Sequence, residues 1–245
     1  DGLGLEVAVA AIAADLKAHG GDPAEVRHVC MDMSAAYAKG ATLALPQADI
    51  SYDRFHVVAM AIQAMDDVRR EELRAEPAQV AAALQGADPE TRRNLLWGMR
   101  KNPVGWTAAQ TDAMYWLQRS ALKSARAWRL RMALREVYAR ARQHNSAEQA
   151  ASDLKAWTSW ARRCRLEPFK KLATTIKERF DAVVRGMLDH RSNAFVESMN
   201  GQLQQAKRAA RGYRTAKNFI AIAYLRLSRL KNLPAHPFSP AAAVS

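Results

Sequence analysis

Two carboxylates stand where chemistry could be done. Asp32 lies in Val29-Cys-Met-Asp-Met-Ser34, directly after a short apolar stretch. A carboxylate at the carboxyl end of a parallel strand faces the crevice in which α/β proteins bind ligands. The competing reading is a side-chain cap for the helix that follows. Glu197 lies in Ser192-Asn-Ala-Phe-Val-Glu-Ser-Met-Asn200. Wound as a helix, Val196, Met199, Leu203, Ala206 and Ala210 make one apolar stripe spaced three and four apart. Glu197, Asn200, Gln204, Lys207, Arg208 and Arg211 fall on the other face. A lone acid thus opens a polar stripe that turns cationic, which suits either a solvated surface or a metal-binding acid beside a phosphate track.

Other candidates read more plainly. In Asp53-Arg-Phe-His56 the aspartate is an N-cap or a ligand, and a lone histidine is most often a structural hydrogen-bonder. Asp66-Asp67 and Glu71-Glu72 sit among Arg69, Arg70 and Arg74 and read as ion pairs along a helix. His28, His144 and His190 show no metal-ligand spacing, and Cys30 and Cys164 give neither a disulfide framework nor a zinc motif. The chain has no nucleophile elbow, Walker loop or GxGxxG.

The elements that would position these acids fall into two styles. Residues 5–19 show helical spacing, 25–31 read as a short strand, 34–43 as a helix, and Asp49–Tyr52 as a second strand. A long helix follows over 53–74. Strands separated by helices imply a parallel α/β layer. Beyond Pro77 the strand signal stops, and helices are expected over 79–84, 89–99, 107–143, 146–161, 168–188, 193–211 and 215–230. From Pro234 the tail is rich in Pro and Ala. Two strands do not make a self-sufficient sheet, so neighbouring strands are expected to come from elsewhere.

Composition bounds the partners. Of 245 residues, 37 are Lys or Arg and 24 Asp or Glu, a formal charge of +13. Residues 1–90 carry a net −8, 91–160 a net +9, and 161–245 a net +12. An acidic third joined to a strongly basic remainder implies two different jobs, and nucleic acid is the usual partner of such a basic surface. No run of about 18 uncharged apolar residues exists, so no transmembrane helix is expected. The stretch 5–14 lacks the positive flank of a signal peptide. Paucity of cysteine suits a reduced, cytoplasmic protein.

Four blocks in order carry a resemblance: Val29-Cys-Met-Asp-Met-Ser-Ala-Ala-Tyr37; Leu45-Pro-Gln-Ala-Asp-Ile-Ser-Tyr-Asp-Arg-Phe-His-Val-Val58; Arg165-Leu-Glu-Pro-Phe169; and Ser192–Asn200 followed by Ala206-Lys-Arg-Ala-Ala-Arg-Gly-Tyr213. The chain resembles bacterial insertion-sequence DDE transposases of the ISL-three family. The resemblance implies an α/β, ribonuclease H-like domain, incomplete at its N-terminus, interrupted by a large all-α insertion, so that the whole is predominantly helical. Its parts would be residues 1–76 (partial ribonuclease H-like), 77–190 (helical insertion), 191–233 (helices completing the catalytic domain) and 234–245 (tail).

It also implies a chemistry. Asp32 would be the second catalytic aspartate and Glu197 the final glutamate, both metal ligands; Asp53, His56 and Asn200 would be accessory. Lys207, Arg208 and Arg211, extended by Arg214 and Lys217, would hold DNA phosphates. Two divalent cations, Mg²⁺ or Mn²⁺, about 3.5–4 Å apart would activate a water or a 3′-hydroxyl and stabilise the leaving oxygen. Such cations want carboxylate oxygens rather than Cys or His. The expected partners are transposon ends and target DNA, with a homo-oligomer as the working form, nucleoid-associated when bound to DNA. The family's first aspartate lies in a block with no counterpart here. The chain therefore reads as a C-terminal portion, and its alternative is a truncated protein that binds DNA without cutting it. Six tryptophans (Trp97, Trp106, Trp116, Trp128, Trp157, Trp160) all fall in the expected insertion; most read as core, one or two as platforms for unpaired bases.

Overall fold

β1 (His28–Met31) and β2 (Asp49–Tyr52) are parallel, with His28 opposite Asp49 and Met31 opposite Tyr52. The connection between them is α2 (Ala35–Ala44), which the spacing of the sequence predicts. The computed structural model describes residues 2–85, 87–189 and 194–227, and it divides into two compact units, 1–192 and 193–245. Each is described by itself.

In the first unit the ladder decides which groups face where. Amides of Asp49 and Asp53 donate to the carbonyls of Arg27 and Met31, so Ile50 and Tyr52 turn their carbonyls to the opposite edge of β2. That edge is covered by α10 (Phe180–Leu188) instead of a strand. Arg185 Nε donates to the Ile50 carbonyl at 2.8 Å. Gly186 lies so close that a Cβ there would stand 2.0 Å from the Tyr52 carbonyl oxygen, and only glycine permits the approach. Among the described residues no strand pairs with the outer edge of β1. α1 (Gly2–Ala18) packs on α2.

The rest of this unit is helical. α3 (Arg54–Ala75) buries Val57, Ala61, Ala64, Met65 and Val68 and packs against α7 (Lys123–His144) and α9 (Glu167–Glu178). α4 (Pro77–Leu84), α5 (Pro89–Arg100), α6 (Ala108–Arg119) and α8 (Ala147–Arg163) complete the body. Phe169, Met65, Met114, Leu130, Leu134, Leu154 and Ile176 are each under 2% exposed. Burial of one such side chain is worth about 1.5–3 kcal/mol, so this helical core holds α3, and through it the strand ends, in place.

Two expected helices are each divided. The span 107–143 breaks between α6 and α7, although no Gly or Pro marks the place. Glu72 of α3 supplies the reason: its buried carboxylate accepts from the Lys123 and Ser124 amides and the Ser124 hydroxyl, satisfying the first donors of a new helix. The span 168–188 breaks at Arg179, where φ −124° and ψ 29° leave helical geometry and let α10 turn to the β2 edge. The first strand is also shorter than expected, because Pro23–Glu25 forms a 3₁₀ turn capped by Asp22.

The second unit holds α11 (Ala194–Ala209) and α12 (Ala216–Leu227), packed on each other. The turn between them closes with the Gly212 amide on the Lys207 carbonyl, at a φ of +102° that suits glycine. Tyr213 packs tilted against Phe219, 5.3 Å between ring centres, and donates its hydroxyl to the Ala206 carbonyl. The end of the expected last helix and the Pro/Ala tail lie outside the described residues.

Candidate active site

Asp32 is the first residue after β1 and Asp53 the first after β2, and the register sets them side by side at one end of the sheet. Their surroundings separate them. α2 takes its cap from Ser34, whose Oγ accepts from the Tyr37 amide, so Asp32 is not needed there. Its carboxylate is 44% exposed, and its Oδ1 lies 2.6 Å from Nε2 of His56 on the first turn of α3. Asp53 is 1% exposed and caps α3, accepting from the Phe55 amide at 2.8 Å. The capping reading thus holds for Asp53 and fails for Asp32.

A third carboxylate joins them that the sequence did not single out. Asp189, just past α10, accepts from Ser51 Oγ at 3.2 Å. Cys30 reports the resulting field. Burial pushes its thiol up first of all; the Ser51 hydrogen bond opposes this, and the charges of Asp53, Asp189 and Asp32 add to it. Three acids from three connections therefore bear on one strand end. Nothing in the sequence marks Asp189, since its role follows from α10 lying along β2.

Carboxylate oxygens are the right donors for a hard divalent cation, and Asp32 presents one at the mouth of the sheet. Among the described residues no group of three His, Cys, Asp or Glu side chains is close enough to hold a metal ion. Glu197 lies in α11, in the second unit, and its side chain is outside the described residues. Asn200, Lys207, Arg208, Arg211, Arg214 and Lys217 are all exposed, while Ala206 of the apolar stripe is 2% exposed. The structure therefore brings Asp32 and His56 together, sets Asp53 beside them as a cap, and carries the cationic residues in the second unit.

The family model for ISL3-type DDE transposases, described as Transposase, matches residues 6–223. The chain belongs to this transposase family. It is 32% identical over 224 residues to the transposase for insertion sequence element IS1557 of Mycobacterium tuberculosis, in strain CDC 1551 / Oshkosh and in strain ATCC 25618 / H37Rv alike. The match covers 84% of this chain and 48% of each relative, so the chain spans about half the length of the curated transposases it matches. No solved structure matches it. Among the described residues of this transposase chain no helix is long and apolar enough to cross a membrane.

The tryptophans of the transposase chain divide as core and surface. Trp157 donates to the Leu130 carbonyl and is buried; Trp128 is buried with Trp106 stacked 5.8 Å away. Trp97 and Trp160 are 58% and 43% exposed.

Proposed function

We propose that this chain is the catalytic region of a DNA transposase that cuts transposon ends and joins them to target DNA by metal-dependent, in-line phosphoryl transfer. Membership of the family supports the activity in general, and one observation supports the residue assignment. Asp32 stands at the carboxyl end of a parallel strand, relieved of capping by Ser34 and held by His56. In this reading β1 and β2 belong to a ribonuclease H-like sheet, 77–190 is the helical insertion, and 191–233 returns to the catalytic domain.

Asp32 and Glu197 would hold the divalent cations, Mg²⁺ or Mn²⁺, which when bound activate the attacking oxygen and stabilise the leaving one. The chain's own residues do the rest. His56 holds Oδ1 of Asp32 from the first turn of α3 and restrains its rotamer. Asp53 keeps α3, and therefore His56, in register with β2. Lys207, Arg208, Arg211, Arg214 and Lys217 neutralise DNA phosphates and set the strand's position without reading sequence. Asn200, one turn beyond Glu197, completes the polar stripe. The working form is taken to be an oligomer on DNA.

The test is cleavage of a transposon-end duplex by the transposase that carries this chain. Asp32→Ala and Glu197→Ala should each abolish Mg²⁺-dependent cutting and leave DNA binding measurable. Full cleavage by either variant would refute the assignment. Binding without any cleavage by the parent protein would favour the alternative, a transposase-derived protein that only binds DNA.

A further inference from the structure

A hollow of about 330 Å³ opens between α7 and the end of α8, far in sequence from the residues assigned to DNA above. Its wall carries four arginines: Arg126 and Arg129, one turn apart on α7, and Arg163 and Arg165 at and beyond the end of α8. Trp160, one turn before Arg163, completes the rim, and Leu130, 1% exposed, lies at its base.

The arginines are exposed, and none of them forms an ion pair with an acid among the described residues. Four arginines elsewhere do meet carboxylates: Arg69, Arg70 and Arg100 lie on Asp66, and Arg140 on Asp153. The negative end of α8 explains a cation or two at its last turn. It does not explain two more on α7 facing the same hollow. Arg165 even takes a left-handed φ of 57°, a position where glycine is the usual choice.

Four guanidiniums without acids are a receptor for anions, because each presents a planar fork that matches phosphate oxygens. A free phosphate would need no indole beside it. Trp160 leaves 43% of its surface in solvent at the rim, where a helix of this kind would ordinarily place a polar residue. An aromatic face set among cations is the arrangement that holds successive nucleotides, the bases on the ring and the backbone on the charges.

We propose that this hollow binds an unpaired stretch of DNA strand, phosphates on Arg126, Arg129, Arg163 and Arg165 and a base stacked on Trp160. The choice of DNA rests on the transposase reading; the site itself does not depend on Asp32, Glu197 or metal.

The experiment measures binding of fluorescently labelled oligothymidine, the matching duplex and oligouridine to the full chain, in EDTA and over a salt series. Arg129→Gln with Arg163→Gln should weaken oligothymidine binding about tenfold. The same pair should flatten the slope of log affinity against log salt by about 1.4, because two phosphates are no longer neutralised. Trp160→Ala should weaken oligothymidine binding about tenfold and leave the duplex within twofold, while Trp160→Phe binds as the parent. Thermal melting within a few degrees of the parent, expected for exposed side chains, confirms the fold. An unchanged salt slope in the arginine pair, with all of the slope carried by Lys207, Arg208 and Arg211, overturns the proposal. So does a preference for oligouridine, or Trp160→Ala binding like the parent. Asp32→Ala should bind oligothymidine unchanged in EDTA, so loss of cleavage and loss of this site are separate results.

Discussion

Nε2 of His56 stands 2.6 Å from Oδ1 of Asp32, joining the end of β1 to the first turn of the helix that follows β2. The two residues lie 24 positions apart and meet because the strands are parallel and in register. This contact ties the acid's orientation to the packing of α3, whose apolar face is fixed by α7 and α9. An unaided carboxylate 44% exposed would sample several rotamers, and a metal ligand that must first be ordered binds more weakly.

From this comes a prediction for catalysis. His56→Ala should lower metal-dependent cleavage about 10–100-fold, the usual cost of removing a partner that orients a ligand. Raising the Mg²⁺ concentration should recover part of the loss, and His56→Gln should lose less than His56→Ala. DNA binding should not change. A Mg²⁺ titration of cleavage rate for the three proteins decides it; identical curves would mean that His56 does not position Asp32.

The contact of Gly186 with the Tyr52 carbonyl makes a second. A methyl group there would stand 2.0 Å from backbone oxygen, so α10 must move off the β2 edge and strain the Arg185 bond to Ile50. Gly186→Ala should cost about 1–3 kcal/mol, read as a lower urea midpoint. Gly201→Ala is the contrast: nothing lies within 4 Å of its Cβ position, at an exposed site on α11. That change should stabilise the helix by about 0.5–1 kcal/mol.

The sequence is legible where local chemistry decides and illegible where a distant partner does. The parallel pair, α2 and α3 follow from apolar spacing and turn residues, and Asp53 is recognisable as a cap. Asp32 could be singled out by type and position, but its contact with His56 needs the register of two strands. Glu72 shows the limit. Its spacing beside Arg74 suggests a surface ion pair, yet it is 4% exposed and caps α7, 51 residues away. Arg131 is similar: a basic residue in a basic helix, 6% exposed, donating to the carbonyls of Met99 and Arg100 at the end of α5. Both use a charge to satisfy the end of another helix, and no periodicity along one segment contains that information.

Tyr138 offers a third prediction. Its hydroxyl is buried and has no hydrogen-bond partner among the described residues. Burial, with the charge of Asp53 adding, pushes its ionisation far above the usual range. A buried hydroxyl without a partner costs about 1–3 kcal/mol. Tyr138→Phe should therefore leave stability unchanged or raise it by about 1 kcal/mol, measured by chemical denaturation. A loss exceeding about 1 kcal/mol would show that the hydroxyl is satisfied, for instance by a bound water.

The acid limb of stability should depend on Asp66. This carboxylate is 7% exposed and accepts from Arg69 and Arg100, with Arg70 paired at 2.8 Å. Burial alone would raise its pKa, but the hydrogen bonds and charges of Arg69 and Arg100 outweigh it and hold the group below the ordinary aspartate value. A depressed folded-state pKa means the folded form keeps the proton off where the unfolded chain would take it up. The contribution is then fully present above about pH 4, the unfolded value, and fades as the pH falls through the lower folded value. Asp66→Asn removes it at every pH and leaves three guanidiniums facing an amide, at a cost of about 2 kcal/mol near neutrality given their partial exposure. The parent and variant stability curves should converge below about pH 4 and stay parallel from about pH 5 to 7. Curves that remain parallel through the acid range would mean that the cluster contributes by packing α3 to α5 and not by its charge.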